Sequence, residues 1–201
     1  MIEVFKGESG FANTYVISRF HECIIINPSH SYEQIIEFIG PKKLIAIFIT
    51  ETSKATIDQL SYYNVPIYLS ERQYYNLEDN TVLGYSYKEK IPFNYQNLKY
   101  QIIEDGYTFK IADLILKTHI IFGAREAINV FEIADNLFVG SLFDNQKITK
   151  KAPYKSSIYD LKRSIQELLK LPKNYKLHHN FKSSNIFSNE ILINEHLQRW
   201  I

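Results

Sequence analysis

Cys23-Ile-Ile-Ile-Asn27, Leu44-Ile-Ala-Ile-Phe-Ile-Thr50 and Val65-Pro-Ile-Tyr-Leu69 are three short runs rich in β-branched and aromatic residues. Each has the length and near-continuous apolar character of a buried strand. Helix signals stand between them. Ser31-Tyr-Glu-Gln34 reads as a capping box that opens a helix carrying Ile35, Ile36 and Ile39 and stopping at Gly40-Pro41. Thr56-Ile-Asp-Gln59 reads as a second box, its helix ending before Val65-Pro66, and Ser70-Glu-Arg-Gln73 caps a third through Tyr74 and Leu77. Residues 23–77 therefore alternate strand and helix three times, and that alternation predicts an α/β architecture.

Working outward, Thr14-Tyr-Val-Ile17 is an earlier strand joined to the Cys23 strand through the polar turn Arg19–Glu22. Residues 80–103 are tyrosine-rich and lack a clear period, so no element is assigned there. After Asp105-Gly106 comes a hairpin, Tyr107–Ile111 and Leu114–Thr118 about a turn at Ala112-Asp113. Ala127–Ile133 and Leu137–Val139 are two more strands. Ser157-Ile-Tyr-Asp160 opens a helix whose Ile158, Leu161, Ile165, Leu168 and Leu169 follow the helical apolar spacing. Leu171-Pro172 ends it, and Tyr175–His178 is a last strand.

The chain has 201 residues, 45% of them hydrophobic and 14% aromatic, enough for one domain, 1–201, with a substantial core. That composition excludes a disordered chain. No run approaches ~18 apolar residues and no basic-then-apolar leader opens the sequence, so the expectation is a cytoplasmic protein that does not meet a membrane. The single cysteine, Cys23, lies in an apolar run and reads as an inert buried thiol. A net charge of +1 argues against a nucleic-acid-binding surface, yet the charge is uneven: residues 1–145 sum to −6 and residues 146–201 to +7. The basic cluster, from Lys147, Lys150, Lys151 and Lys155 to Lys176 and Lys182, reads as a solvated face or a dock for an acidic partner. The tyrosines of the middle third, among them Tyr85, Tyr87 and Tyr95, reflect composition or line a ligand cleft or an interface, and Trp200 is read as a staple for the tail.

The order of these segments resembles the metallo-β-lactamase superfamily, in particular its hydroxyacylglutathione hydrolase-like members. Asn13-Thr-Tyr-Val-Ile17 is similar to the family's opening strand, Ile24-Ile-Ile-Asn-Pro-Ser29 to its Leu-Ile-Asp-Pro-Gly turn, and Leu44–Thr50 to the strand that delivers the metal motif. Leu137-Phe-Val-Gly-Ser-Leu-Phe143 resembles Leu-Phe-Thr-Gly-Asp-Thr-Leu-Phe, and Glu190-Ile-Leu-Ile-Asn194 its late Glu-x-x-x-Asn. The resemblance implies a four-layer αββα sandwich with its site at one edge. It also implies where metal ligands would stand, and there the chain departs. Glu51, Ser53, Ala55 and Thr56 occupy the positions of the His-x-His-x-Asp-His loop, with Lys54 among them; Gly123 stands for a later His and Ser141 for the bridging Asp. Of the ligand set the resemblance leaves only the last His, as His178 or His179.

Zinc and iron sites need imidazole, thiolate or carboxylate donors and an open position for water, so the expectation is a protein with no metal or other cofactor. Its candidate pocket gathers Glu51, Ser53, Thr56, His119, Arg125, Ser141 and His179. The function expected is non-catalytic, binding an unidentified small ligand or a protein partner in a regulatory role. Two alternatives stay open: a thioester or ester hydrolase rebuilt around Glu51, His119 and His179, and a structural subunit acting through an interface, including a homo-oligomer. A serine nucleophile, Ser53 or Ser141 with His179, lacks the Gly-x-Ser-x-Gly turn.

Overall fold

Two six-stranded sheets carry the fold in the computed structural model, which describes residues 1–7, 12–77, 98–124, 128–143, 157–194 and 197. The first sheet takes β1 (Ile2–Phe5), β2 (Thr14–Arg19), β3 (Glu22–Ile26), β4 (Lys43–Phe48), β5 (Ile67–Ser70) and β6 (Tyr100–Ile103) in chain order. Its first three strands are antiparallel, and β3 to β6 are parallel. Parallel neighbours need a crossover; α1 (Tyr32–Ile39) makes the one from β3 to β4, and α2 (Lys54–Leu60) the one from β4 to β5. The helix α3 (Glu71–Asn76) follows β5 directly. The second sheet contains β7 (Thr108–Ile111), β8 (Leu114–Ile121), β9 (Ile128–Ile133), β10 (Asn136–Gly140), β11 (Lys176–His179) and β12 (Asn185–Ile186). It is antiparallel except for β10 beside β11, the pair joined through α4 (Ile158–Leu168). A last helix, α5 (Phe187–Ile193), closes the order.

The layers follow from the two-residue period of a strand. On β3, Ile24 and Ile26 join Phe48 of β4 and Leu116, Phe131 and Phe138 of the other sheet in a core between the sheets. The intervening Cys23 and Ile25 face outward, against Ile35, Ile39, Ile57 and Leu60 of α1 and α2. The second sheet repeats the arrangement: Val130, Leu137, Val139 and Leu177 pack outward on Leu161, Ile165 and Leu168 of α4 and Phe187 of α5. The order helix, sheet, sheet, helix is the αββα sandwich. Among the described residues, no helix is long and apolar enough to cross a membrane.

Several boundaries differ from the sequence reading. The helix assigned to Thr56 starts at Lys54, because Ser53 rather than Thr56 is its N-cap and its side chain accepts from the Thr56 amide. Ile158 is 50% exposed instead of facing the sheet, since it occupies the first turn of α4 ahead of the packed stripe. Strands β1, β6 and β12 and helix α5 had no clear sequence signal. Arg125, Lys147, Lys150, Lys151, Lys155, Tyr85, Tyr87, Tyr95 and Trp200 lie outside the described residues.

Candidate functional site

The C-terminal ends of β3, β4, β10 and β11 meet at one edge of the sandwich, and the residues just beyond them form a buried polar centre. Asn27, which follows β3, has φ +54°, a left-handed conformation that asparagine tolerates better than most residues. Its amide N–H donates to the Phe48 carbonyl at 3.0 Å, and its own carbonyl accepts from Thr14 Oγ1 at 2.7 Å. Its side chain is fully engaged: Oδ1 accepts from the Thr50 amide at 2.9 Å, while Nδ2 donates to Thr50 Oγ1 at 2.7 Å and to Asn180 Oδ1 at 2.8 Å. The Thr50 carbonyl accepts from the Asn129 amide and from Gln73 Nε2, both at 2.8 Å. Gly140 ends β10 with φ +59°, and a Cβ there would stand 3.0 Å from Thr50 Oγ1. Only glycine combines that backbone with that proximity.

Glu51 is the charged member of this centre and is buried, 8% exposed. Ser141 Oγ donates to its Oε2 and Asn180 Nδ2 to its Oε1, so each carboxylate oxygen accepts a hydrogen bond from a neutral group. Charge-assisted bonds of this kind stabilise an ionised carboxylate that has left bulk water.

The sequence candidates divide accordingly. Glu51 and Ser141 are in direct contact. Ser53 and Thr56 lie one turn away, hydrogen-bonded to each other at 3.0 Å where α2 starts. Arg125 falls outside the described residues.

His119 is not part of this centre. Alternation along β8 sends Leu116 toward the inter-sheet core and Ile121 toward α4, and His119 shares the parity of Ile121. On that outer face its Nε2 lies 2.7 Å from Glu132 Oε2, and Tyr175 donates to Glu132 Oε1 at 3.0 Å.

His179 is completely buried, but it reaches the centre only through its backbone. Its carbonyl accepts from Asn13 Nδ2 at 2.7 Å and Tyr15 OH at 2.5 Å, while neither ring nitrogen has a hydrogen-bond partner among the described residues. Burial pushes its pKa down to about 3, with Lys182 and His178 adding in the same direction. His178 goes down to about 4, mainly by burial, and its ring stacks on Phe138 at 4.6 Å.

Asn180, next along the chain, takes the place assigned to the histidines. Sequence reasoning also missed Asn27, Gln73 and Asn129. The available signal was their position: Asn27 and Asn180 each follow a strand directly, where a side chain reaches the sheet edge.

Metal chemistry does not fit this donor set. Zinc takes imidazole, thiolate and carboxylate ligands, whereas among the described residues the centre offers one carboxylate, its oxygens hydrogen-bonded to Ser141 and Asn180. Oxygen-rich sites for calcium or magnesium use several ligands, generally with more than one carboxylate. Among the described residues no three His, Cys, Asp or Glu side chains converge to hold an ion.

No protein-family model matches the chain, and no curated protein is similar to it in sequence. Solved structures are similar in shape. The BLEG-1 B3 metallo-β-lactamase superposes with a TM-score of 0.81 at 18% identity, over 98% of this chain and 99% of its own. TTHA1623, solved in a di-iron-bound form, gives 0.73 at 15% identity, over 96% of this chain and 99% of its own. ETHE1 from Myxococcus xanthus gives 0.70 at 11% identity, over 98% and 84%. Likeness at such identities is a likeness of architecture, and by architecture this chain has the metallo-β-lactamase fold.

Proposed function

We propose that this is a metal-free, non-catalytic protein of the metallo-β-lactamase fold, a single cytoplasmic domain that works by binding a small ligand or a protein partner. One observation carries the reading: Glu51 is held by Ser141 and Asn180 inside the Asn27–Thr50 amide network, where a hydrolase of this fold would need a cluster of imidazoles and carboxylates. A metal lowers the pKa of bound water from ~15.7 to about 7 and so supplies hydroxide at neutral pH. Neutral amides and hydroxyls do not, and without that activation a thioester or ester has no strong nucleophile here. The same groups suit recognition, since they offer directional donors and acceptors without mutually repelling charge.

The test is elemental analysis of tag-free protein, thermal melts with and without micromolar zinc, and a panel of generic ester and thioester substrates. The reading expects no stoichiometric zinc, iron or manganese, an unchanged melting temperature and no turnover. A ligand present at a hundred times its Kd would stabilise the fold by ~2.7 kcal/mol, which a melt detects. One equivalent of metal, or a zinc-dependent rise in melting temperature abolished by Glu51→Ala, would overturn it.

A further inference from the structure

On the outer face of the second sheet, away from the Glu51 centre, β8 and α4 enclose a cleft of about 520 Å³. His119, Asp105 and Phe122 line one side, and Asp160, Arg163 and Leu168 the other. Three features mark it as more than a surface crease. First, His119 is held in one orientation. The Glu132 carboxylate accepts from Tyr175 through one oxygen and faces His119 Nε2 with the other at 2.7 Å. A carboxylate only accepts, so Nε2 is the donor of this pair. Nδ1 makes no hydrogen bond among the described residues. Second, the Arg163 guanidinium lines the cleft without an ion-pair partner among the described residues, a fork of donors suited to a carboxylate. Third, Asp105 spends one oxygen on the Ile120 amide at 2.8 Å, and its other oxygen makes no hydrogen bond among the described residues. Phe122, 53% exposed, offers an apolar surface at the junction with a second groove of about 680 Å³ that also includes Ile102 and Ile103.

From this geometry we infer a binding site for a small zwitterion with an apolar side chain, of the α-amino-acid or short-peptide class. Its carboxylate pairs with Arg163, its ammonium donates to Asp105 beside the His119 ring, and its side chain lies on Phe122. Both charges of such a ligand are matched, so neither is desolvated unpaired, and the specificity follows from needing both ends together. Glu132 and Tyr175 hold the His119 ring at the wall of the cleft. The inference does not depend on the function proposed for the Glu51 centre.

The experiment is a titration of the full-length protein, carrying isotope-labelled histidine, with the dipeptide Leu-Leu. N-acetyl-Leu-Leu and Leu-Leu amide are the single-charge controls, and imidazole resonances are the readout. Leu-Leu is expected to shift the His119 signals saturably, with each blocked peptide binding at least ~10-fold more weakly, the size of one lost charge-assisted bond. Arg163→Met, an exposed position on α4, should weaken Leu-Leu by a similar factor while the melting temperature stays unchanged. Three results would overturn the inference: no His119 shift up to ~20 mM Leu-Leu, a concentration far above a Kd of ~1 mM or ~−4.1 kcal/mol; equal binding of all three peptides; or binding indifferent to Arg163. The blocked-peptide arm stands even if the variant fails to fold.

Discussion

Acidification from pH 7 to pH 5 should destabilise this protein through two adjacent histidines. His178 and His179 are 2% and 0% exposed, and burial, with help from Lys176 and Lys182, pushes their pKa values down to about 4 and about 3. In the unfolded chain each ring titrates near ~6.5. Above that value both states carry neutral imidazoles and stability is unaffected. As pH falls through ~6.5 the unfolded chain takes up protons that the folded protein refuses, and stability drops until the folded values are reached. At pH 5 the medium is about 1.5 pH units below the unfolded value, so each ring costs ~2 kcal/mol and the pair ~4 kcal/mol. Carboxylates contribute little in that range, because their unfolded values near ~4 lie below it. A domain of this size has ~5–15 kcal/mol in total, so the loss is conspicuous. Urea unfolding at pH 7, 6 and 5 measures it, and the imidazole resonances show whether the folded rings stay neutral. A free energy at pH 5 within ~1 kcal/mol of that at pH 7, or either ring titrating in the folded protein near its ordinary value, would refute the reasoning.

Other consequences concern packing. Leu161→Ala and Leu168→Ala each empty a buried position between α4 and the second sheet and should cost ~2–5 kcal/mol in denaturant titrations. Losses under ~1 kcal/mol for both would mean that this face of α4 is not packed. Gly123 has φ +84°, and a Cβ there would overlap the Ser157 carbonyl and the Leu161 amide at the start of α4. Gly123→Ala should therefore cost ~3 kcal/mol or more, from backbone strain plus overpacking, and should displace α4; a wild-type melting temperature would contradict it. Glu190 is fully buried and pairs with Lys182 Nζ at 3.0 Å, while Lys182 also donates to the Phe143 carbonyl. Glu190→Ala should cost ~2–3 kcal/mol by removing the buried acceptor of Lys182, Asn185 and Asn194 and leaving a cavity, and less than ~1 kcal/mol would show that the position is solvated.

The sequence by itself determined the elements whose causes are local. A serine cap at Ser31, a box at Ser70-Gln73, apolar runs at Cys23 and Leu44, and the helical stripe from Leu161 to Leu168 all act within a few residues. In that order they resembled one architecture, the one the chain has. Strand β6, in the tyrosine-rich stretch left unassigned, escaped because it is held by pairing with β5 rather than by its own pattern. The site was legible only in part, because Glu51 and Ser141 could be read off the resemblance whereas Asn180, the other partner of Glu51, could not. That partner depends on which face of β11 turns inward. Leu177 packs outward with α4 and α5, while His178 stacks on Phe138 of the core between the sheets. Asn180, two residues past His178, falls on the same inner face. Tertiary pairing thus decided that Asn180, and not His179, meets Glu51. It also decided that His119 turns outward to Glu132: side-chain chemistry is written in the sequence, but the face a residue presents is set by the sheet and helices packed against its strand.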